Sequence, residues 1–276
     1  MSRLFCFGLG YSAEALARRL LVRGWSVAGS TREPARQARL AALGIAMADA
    51  PPAGTTHILS SVPPDEQGDP ILRRFAGAIA GAQPAWIGYL STTGVYGDHA
   101  GDWVDETTVP TPGEPRSRRR LAAEQAWQAL DPPAHVFRLA GIYGPGRSAI
   151  DQLRAGTAKR VVKPGHQFSR IHVDDIAAVL EASIARPNPG AVYNVCDDEP
   201  AQADVVVAHA AALLGVPPPP EVPFAEARLS PMALSFYAER RRVRNERVKR
   251  ELGVRLAYPT YREGLAAIIS GATDSA

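Results

Sequence analysis

The chain has 276 residues, enough for one large domain or two unequal ones, and its 46% hydrophobic content excludes a disordered composition. Arginine dominates the basic side, yet the net charge is only +3, which suits an anionic ligand without demanding nucleic acid. Cys6 and Cys196 each lie in an apolar strand-like run, so they read as buried thiols and exclude a disulfide framework. No signal-peptide pattern opens the chain and no apolar run approaches the ~18 residues of a membrane span. A cytoplasmic protein with no membrane contact is expected.

Leu4 to Phe7 is an apolar run that predicts a short buried parallel strand. Ala13, Leu16, Ala17, Leu20 and Leu21 then share one face of a helix closed by Gly24. Between them stands Gly8-Leu9-Gly10-Tyr11-Ser12-Ala13. Gly8 allows a tight turn, Gly10 lets backbone approach a pyrophosphate, and Ala13 lets the helix lie close to the strand. The helix N-terminus adds free N–H groups and the positive end of its dipole. This strand–turn–helix setting predicts dinucleotide binding.

The second strand, Trp25 to Ser30, lacks the acidic residue that holds ribose hydroxyls in sites preferring NAD. It leads instead into Ser30-Thr31-Arg32, whose two hydroxyls and guanidinium suit a 2′-phosphate. NADP is expected over NAD. A helix from Glu33 to Leu43 and a short strand at Ile45–Ala48, with Asp49 at its end, follow. The strand Thr56–Ser61 stops at Pro63-Pro64, which cannot continue a ladder. A helix from Asp69 to Ala82 and a fifth strand, Trp86–Ser91, continue an alternation that implies a doubly wound parallel sheet.

The fifth strand runs into Ser91-Thr92-Thr93-Gly94-Val95-Tyr96-Gly97-Asp98. Later come Phe137-Arg138-Leu139-Ala140-Gly141-Ile142-Tyr143-Gly144-Pro145-Gly146, Arg170-Ile171-His172-Val173-Asp174-Asp175-Ile176-Ala177, Val192-Tyr193-Asn194-Val195 and Asn245-Glu246-Arg247-Val248-Lys249-Arg250-Glu251-Leu252-Gly253. In that order these stretches resemble the extended short-chain dehydrogenase/reductases, the nucleotide-sugar epimerase and dehydratase group. The resemblance spans nearly the whole chain. It implies an α/β Rossmann-type doubly wound parallel sheet with a small C-terminal substrate lobe. Residues 1–196 would form the NAD(P)-binding domain, with a lobe insertion near 147–165, and residues 197–276 the substrate lobe. The cofactor contacts it implies are Gly8, Gly10, Tyr11, Ser12, Ser30, Thr31, Arg32, Asp49, Ser61 and Arg120.

One part of the family pattern breaks. Hydride chemistry in that family rests on a Ser/Thr, a Tyr and a Lys four residues after it, the Lys lowering the Tyr pKa by its charge. Thr92 matches the Ser/Thr, but Arg116-Ser117-Arg118-Arg119-Arg120 stands where the pair is expected, so Arg116 takes the Tyr position and Arg120 the Lys position. An Arg, with a pKa above ~12, cannot cycle a proton at neutral pH. Three readings remain. Another residue supplies the acid/base, with Tyr96, Tyr143, Asp98, His99 and His166 as candidates. Or the protein binds NADP(H) without turnover, as a sensor or regulatory protein. Or Arg116 to Arg120 grip an anionic substrate and the chemistry lies outside standard hydride transfer.

Downstream, Asp174 and Asp175 suit the first turn of a helix in a structural role. Gln202 to Leu214 predicts a helix, and four prolines at 217–220 a stiff connector. Residues 240–250 carry seven Lys/Arg against Glu246 alone, read as a solvated helix face and not as a nucleic-acid surface. No metal-binding spacing appears. The leading expectation is an NADP-dependent oxidoreductase or epimerase/dehydratase-like enzyme acting on a small anionic molecule, with room for a homodimer.

Overall fold

The computed structural model describes residues 2–273. β1 (Arg3–Phe7) turns into α1 (Tyr11–Val22), and β2 (Ser26–Gly29), α2 (Pro34–Ala42), β3 (Ala46–Met47), β4 (His57–Ser60), α3 (Pro70–Ala82) and β5 (Trp86–Thr92) continue the alternation. A 3-10 turn, Thr93–Tyr96, ends β5, and β6 (Trp103–Val104), α4 (Pro115–Gln128) and β7 (His135–Leu139) follow. Next come β8 (Gly141–Tyr143), α5 (Ala149–Arg154), β9 (Arg160–Val162), β10 (Arg170–His172), α6 (Val173–Ala185) and β11 (Val192–Val195). The chain then forms α7 (Ala203–Leu214), β12 (Glu221–Pro223), α8 (Pro231–Ala238), β13 (Arg242–Val243), α9 (Glu246–Leu252) and α10 (Tyr261–Thr273).

The main sheet is parallel throughout, in the order β11-β7-β5-β4-β1-β2-β3. Side chains of β1 alternate between its two faces. Leu4 and Cys6 pack with Leu16 and Leu20 of α1 and with Ile176 and Leu180 of α6. Phe5 and Phe7 face the other way, onto Ile58, Ile87, Tyr89 and Trp127. Both faces are covered, which is why these strands read as unbroken apolar runs. Asp69, almost fully buried, is satisfied: it accepts from the N–H of Ile71 and Leu72 at the start of α3, and from Trp127 Nε1 of α4 at 2.8 Å.

A third apolar cluster, with Tyr143, Ile150, Val206, Ala210, Tyr261 and Leu265, joins α5, α7 and α10 beside the sheet. The basic run at 240–250 is not the single solvated face expected. Arg241 is partly buried against Glu239, Arg242 and Val243 pair with β6, and α9 begins only at Glu246, with Val248 turned into the core. The run is broken because Val243 and Val248, spaced among the cations, each supply apolar area that the core takes up. Asp175 plays the structural role read from its position, accepting the backbone N–H groups of Ala257 and Tyr258 at 2.7 and 3.1 Å. Among the described residues no helix is long and apolar enough to cross a membrane.

Candidate functional site: the glycine turn and an arginine-lined cavity

The order of strands reverses between β1 and β4, and the C-terminal ends of strands at such a switch point are where open α/β sheets hold ligands. The glycine turn leaves β1 there. Gly8 has φ +79°, and a Cβ on it would meet Val62 Cγ2 at 2.9 Å and Ser61 Oγ at 3.0 Å. Ser61, at the end of β4, donates its hydroxyl hydrogen bond to the Gly8 carbonyl and so fixes the turn. A Cβ on Gly10 would find only Ser61 Oγ, at 4.0 Å. The open space above Gly10 is therefore not filled by the protein. Gly10 is also the N-cap of α1, where no side chain caps the free N–H groups, and Ser12 lies buried in the first turn.

Ser30 closes the turn from β2, its carbonyl accepting from Leu9 N at 2.7 Å and its hydroxyl from Gly8 N at 3.4 Å. Thr31 follows it and accepts from Glu33 N. Arg32 is exposed and carries no hydrogen bond or ion pair among the described residues, whereas Arg36 of α2 reaches the Leu9 carbonyl at 3.4 Å while pairing with Glu33. Arg36 was not among the expected residues; one helical turn past Arg32, its spacing is the signal that would have found it. Asp49 is exposed just past β3, at the outer edge of the sheet. Tyr11 donates to the Pro145 carbonyl at 2.9 Å, tying α1 to the Gly144–Arg147 turn.

Beyond β5 lies a cavity of about 830 Å³. Thr92, Tyr143, Arg116 and Arg120 all line it, as do Ser117, Arg147, Arg170 and Arg241. Thr92 Oγ1 accepts from Gly94 N at 3.1 Å, leaving its proton free to donate. A Cβ on Gly94 would lie 3.0 Å from Ser117 Oγ and 3.4 Å from Thr92 Oγ1, so both hydroxyls converge on the same small volume. Ser117 is buried within the arginine run, where the surrounding charge masked it in the sequence. Arg120 donates Nη1 to Tyr89 Oη at 3.1 Å and to the Leu90 carbonyl at 3.0 Å, while Arg116 lies 4.4 Å over the Phe236 ring at the cavity mouth. Beneath them Glu124 pairs with Arg138 at 2.8 Å and accepts from Ser91, a buried network that locks α4 to β5 and β7.

Of the remaining acid/base candidates, Tyr96, Tyr143, Asp98 and His99 are engaged by other groups, whereas both ring nitrogens of His166 are buried with no hydrogen-bond partner among the described residues. Tyr96 does not line the cavity; its hydroxyl donates to Asn194 Oδ1 at 2.8 Å and burial pushes its pKa up to about 12. Tyr143 reaches the cavity wall, but its hydroxyl donates to the Thr260 carbonyl at 3.3 Å and burial raises its pKa far above the usual phenol range. Asp98 accepts from Arg240 N at 2.7 Å, which holds its carboxyl below its usual range, and His99 lies 3.1 Å from the Tyr96 carbonyl. His166 is buried against Phe168 and Tyr237, and burial lowers its pKa to about 4, so it is neutral at pH 7. Among the described residues no cluster of His, Cys, Asp and Glu is placed to hold a metal ion.

No family model matches the chain. A solved structure of a functionally unknown conserved protein from Silicibacter pomeroyi is 53% identical, covers 99% of both chains and superposes with a TM-score of 0.92. A candidate NAD-dependent epimerase/dehydratase from Methylobacillus flagellatus is 25% identical over 99% of both chains, with a TM-score of 0.72. A human epimerase family protein solved with NADPH shares the fold at 18% identity and a TM-score of 0.77, covering 98% of this chain and 99% of that one. Among curated proteins, a 3-diazoavenalumate denitrifying reductase of Streptomyces is 31% identical over 169 residues, 57% of this chain; the match spans about half, 54%, of that relative's length. The parallel Rossmann sheet and the glycine turn at its switch point go with this likeness, and the chain is similar to NAD(P)-dependent epimerase/dehydratase-like proteins.

Proposed function

We propose that this protein is an NADP(H)-dependent oxidoreductase for a small anionic molecule, working without a tyrosyl acid/base. The observation that carries the reading is the cavity: Arg116, Arg120, Arg147, Arg170 and Arg241 line it against Glu114, Asp151 and Glu239, and Arg241 is already paired with Glu239. Arg116 and Arg120 take the positions of the family's Tyr and Lys. A nicotinamide cofactor supplies the hydride when bound. Gly8, Gly10, Tyr11 and Ser12 would hold its pyrophosphate side, Ser30, Thr31, Arg32 and Arg36 its ribose phosphate, and Asp49 and Ser61 the flanks of the crevice. The unpaired guanidinium of Arg32 favours NADP over NAD.

Thr92 and Ser117 are the hydroxyls that can donate to a substrate atom bearing developing negative charge, and Arg120 can stabilise that charge electrostatically. The proton that completes the product then comes from water through those hydroxyls. Residues 1–196, with the lobe insertion near 147–165, are assigned to the cofactor domain and 197–276 to the substrate lobe, the cavity drawing side chains from both, and the buried free thiols of Cys6 and Cys196 fit a reducing cytoplasm. The competing reading, an NADP(H) sensor, draws on the committed hydroxyls of Tyr96 and Tyr143. The loss of NADPH absorbance with a panel of small carboxylates and phosphates separates the two. Turnover above the blank supports the enzyme; tight NADPH binding with no turnover across the panel supports the sensor.

A further inference from the structure

Arg170 opens β10 on the cavity wall, at the end lined by the small lobe. Its Nη1 donates to the carbonyls of Phe168 and Ala201 at 2.8 and 2.9 Å, which fixes the guanidinium in place. It makes no ion pair among the described residues, and burial lowers its pKa. The carboxyl that opposes this effect, Asp197, is itself buried, and neither of its oxygens has a hydrogen-bond partner. Burial raises the Asp197 pKa while Arg170 opposes the rise, and Asp197 makes no hydrogen bond to the Arg170 guanidinium. A half-buried guanidinium with no direct ion pair leaves donors that an anion in the cavity can take up.

A second orphan sits beside it. Tyr261 is fully buried, lines the same cavity, and its hydroxyl has no hydrogen-bond partner. The walls around these two groups are aromatic and apolar: the Phe168 ring lies 5.8 Å from the Arg170 guanidinium, Tyr237 stands edge-on to Phe168 at 5.1 Å, and Val206 and Leu265 close the floor.

We propose that this end of the cavity is a subsite for an aromatic carboxylate, with Arg170 and Tyr261 donating to the carboxylate and the contiguous Phe168–Tyr237 wall packing against one side of the ring. The proposal deepens the oxidoreductase reading and rests on it, since it names the substrate class of the same cavity. A planar carboxylate matches the two-pronged edge of a guanidinium, and an aryl ring packs on an aromatic wall better than a flexible chain does.

The test is calorimetric titration of the NADP+-saturated protein with 2-naphthoate, its neutral amide 2-naphthamide, hexanoate and 2-naphthyl phosphate. The wild type should bind naphthoate about tenfold or more tighter than naphthamide and than hexanoate. Arg170→Gln, which keeps an amide donor for the two carbonyls, should erase the acid–amide difference. Tyr261→Phe should weaken naphthoate severalfold and leave naphthamide unmoved. Should Arg170→Gln not fold, the wild-type ligand series and Tyr261→Phe decide. Equal affinity for acid and amide, or tighter binding of the phosphate than of the carboxylate, overturns the subsite. NADP+ binding is measured first and separately: its failure overturns the oxidoreductase reading, whereas intact NADP+ binding without an acid–amide difference overturns the subsite alone.

Discussion

Replacing Gly10 by Val separates what the protein needs from what a ligand needs. Gly10 has φ −83° and ψ −169°, extended backbone open to any residue, and a Cβ there meets nothing closer than Ser61 Oγ at 4.0 Å. The folded state should lose only about 1 kcal/mol, the cost of a β-branched residue at an N-cap. A pyrophosphate approaching the N-terminus of α1 would be blocked by the branched side chain. Losing one charge-assisted hydrogen bond, about 1.5–3 kcal/mol, weakens binding about ten- to a hundredfold. Gly8→Val is the contrast: at φ +79°, with Val62 Cγ2 2.9 Å and Ser61 Oγ 3.0 Å from its Cβ, it strains the turn itself and should lower the melting temperature far more. Melting by circular dichroism and NADPH titration by calorimetry give both numbers. A folded Gly10→Val variant with wild-type NADPH affinity refutes the placement of the pyrophosphate. A Gly10→Val variant as unstable as Gly8→Val refutes the claim that the space above Gly10 is not the protein's own.

Arg32→Ala should weaken NADPH about tenfold and leave NADH unchanged, because only the 2′-phosphate would engage that unpaired guanidinium; equal wild-type affinities for the two cofactors would remove the basis for NADP. Glu124→Ala should cost about 3–5 kcal/mol in urea denaturation, since it strands the buried Arg138, whereas Glu124→Leu with Arg138→Met should recover most of that loss. A single-variant cost under about 1 kcal/mol would show that the pair does not lock α4. Asp197 holds a raised pKa of about 8 under burial, with Arg170 opposing the rise and Asp198 adding to it. From about pH 4 to 8 the folded state keeps a proton that the unfolded chain has lost, so wild-type stability should fall with rising pH relative to Asp197→Asn. Parallel melting curves for the two proteins across that window would contradict the burial argument.

What the sequence could reveal followed the range of the interaction. The glycine turn and the strand–helix alternation are local, and they appear at the expected positions: β1 covers Arg3–Phe7 and α1 starts at Tyr11. Thr92, which lines the cavity, stands out because it sits at a strand end in a recognisable stretch. Tyr96 and Tyr143 could not be judged, because the groups that claim their hydroxyls, Asn194 and Thr260, lie about a hundred residues away in the chain. Arg170 and Tyr261 carry no local signal either. Arg170 opens a three-residue strand and Tyr261 a helix, and only the folded cavity brings the two to one wall. Residues 240–250 misled for the opposite reason: charge dominates the composition there, yet Val243 and Val248 decide where the segment packs.

The central claim is that one crevice, from Arg32 past Gly10 to Thr92, holds NADP(H) with arginines where the family keeps its acid/base pair. A crystal structure of the protein with NADP+ tests it most directly. The account predicts the ribose phosphate beside Arg32 and Arg36, the pyrophosphate over Gly10, and the nicotinamide facing Thr92, Ser117 and Arg120. A nicotinamide directed away from the cavity, or a ribose phosphate without an arginine contact, would contradict it.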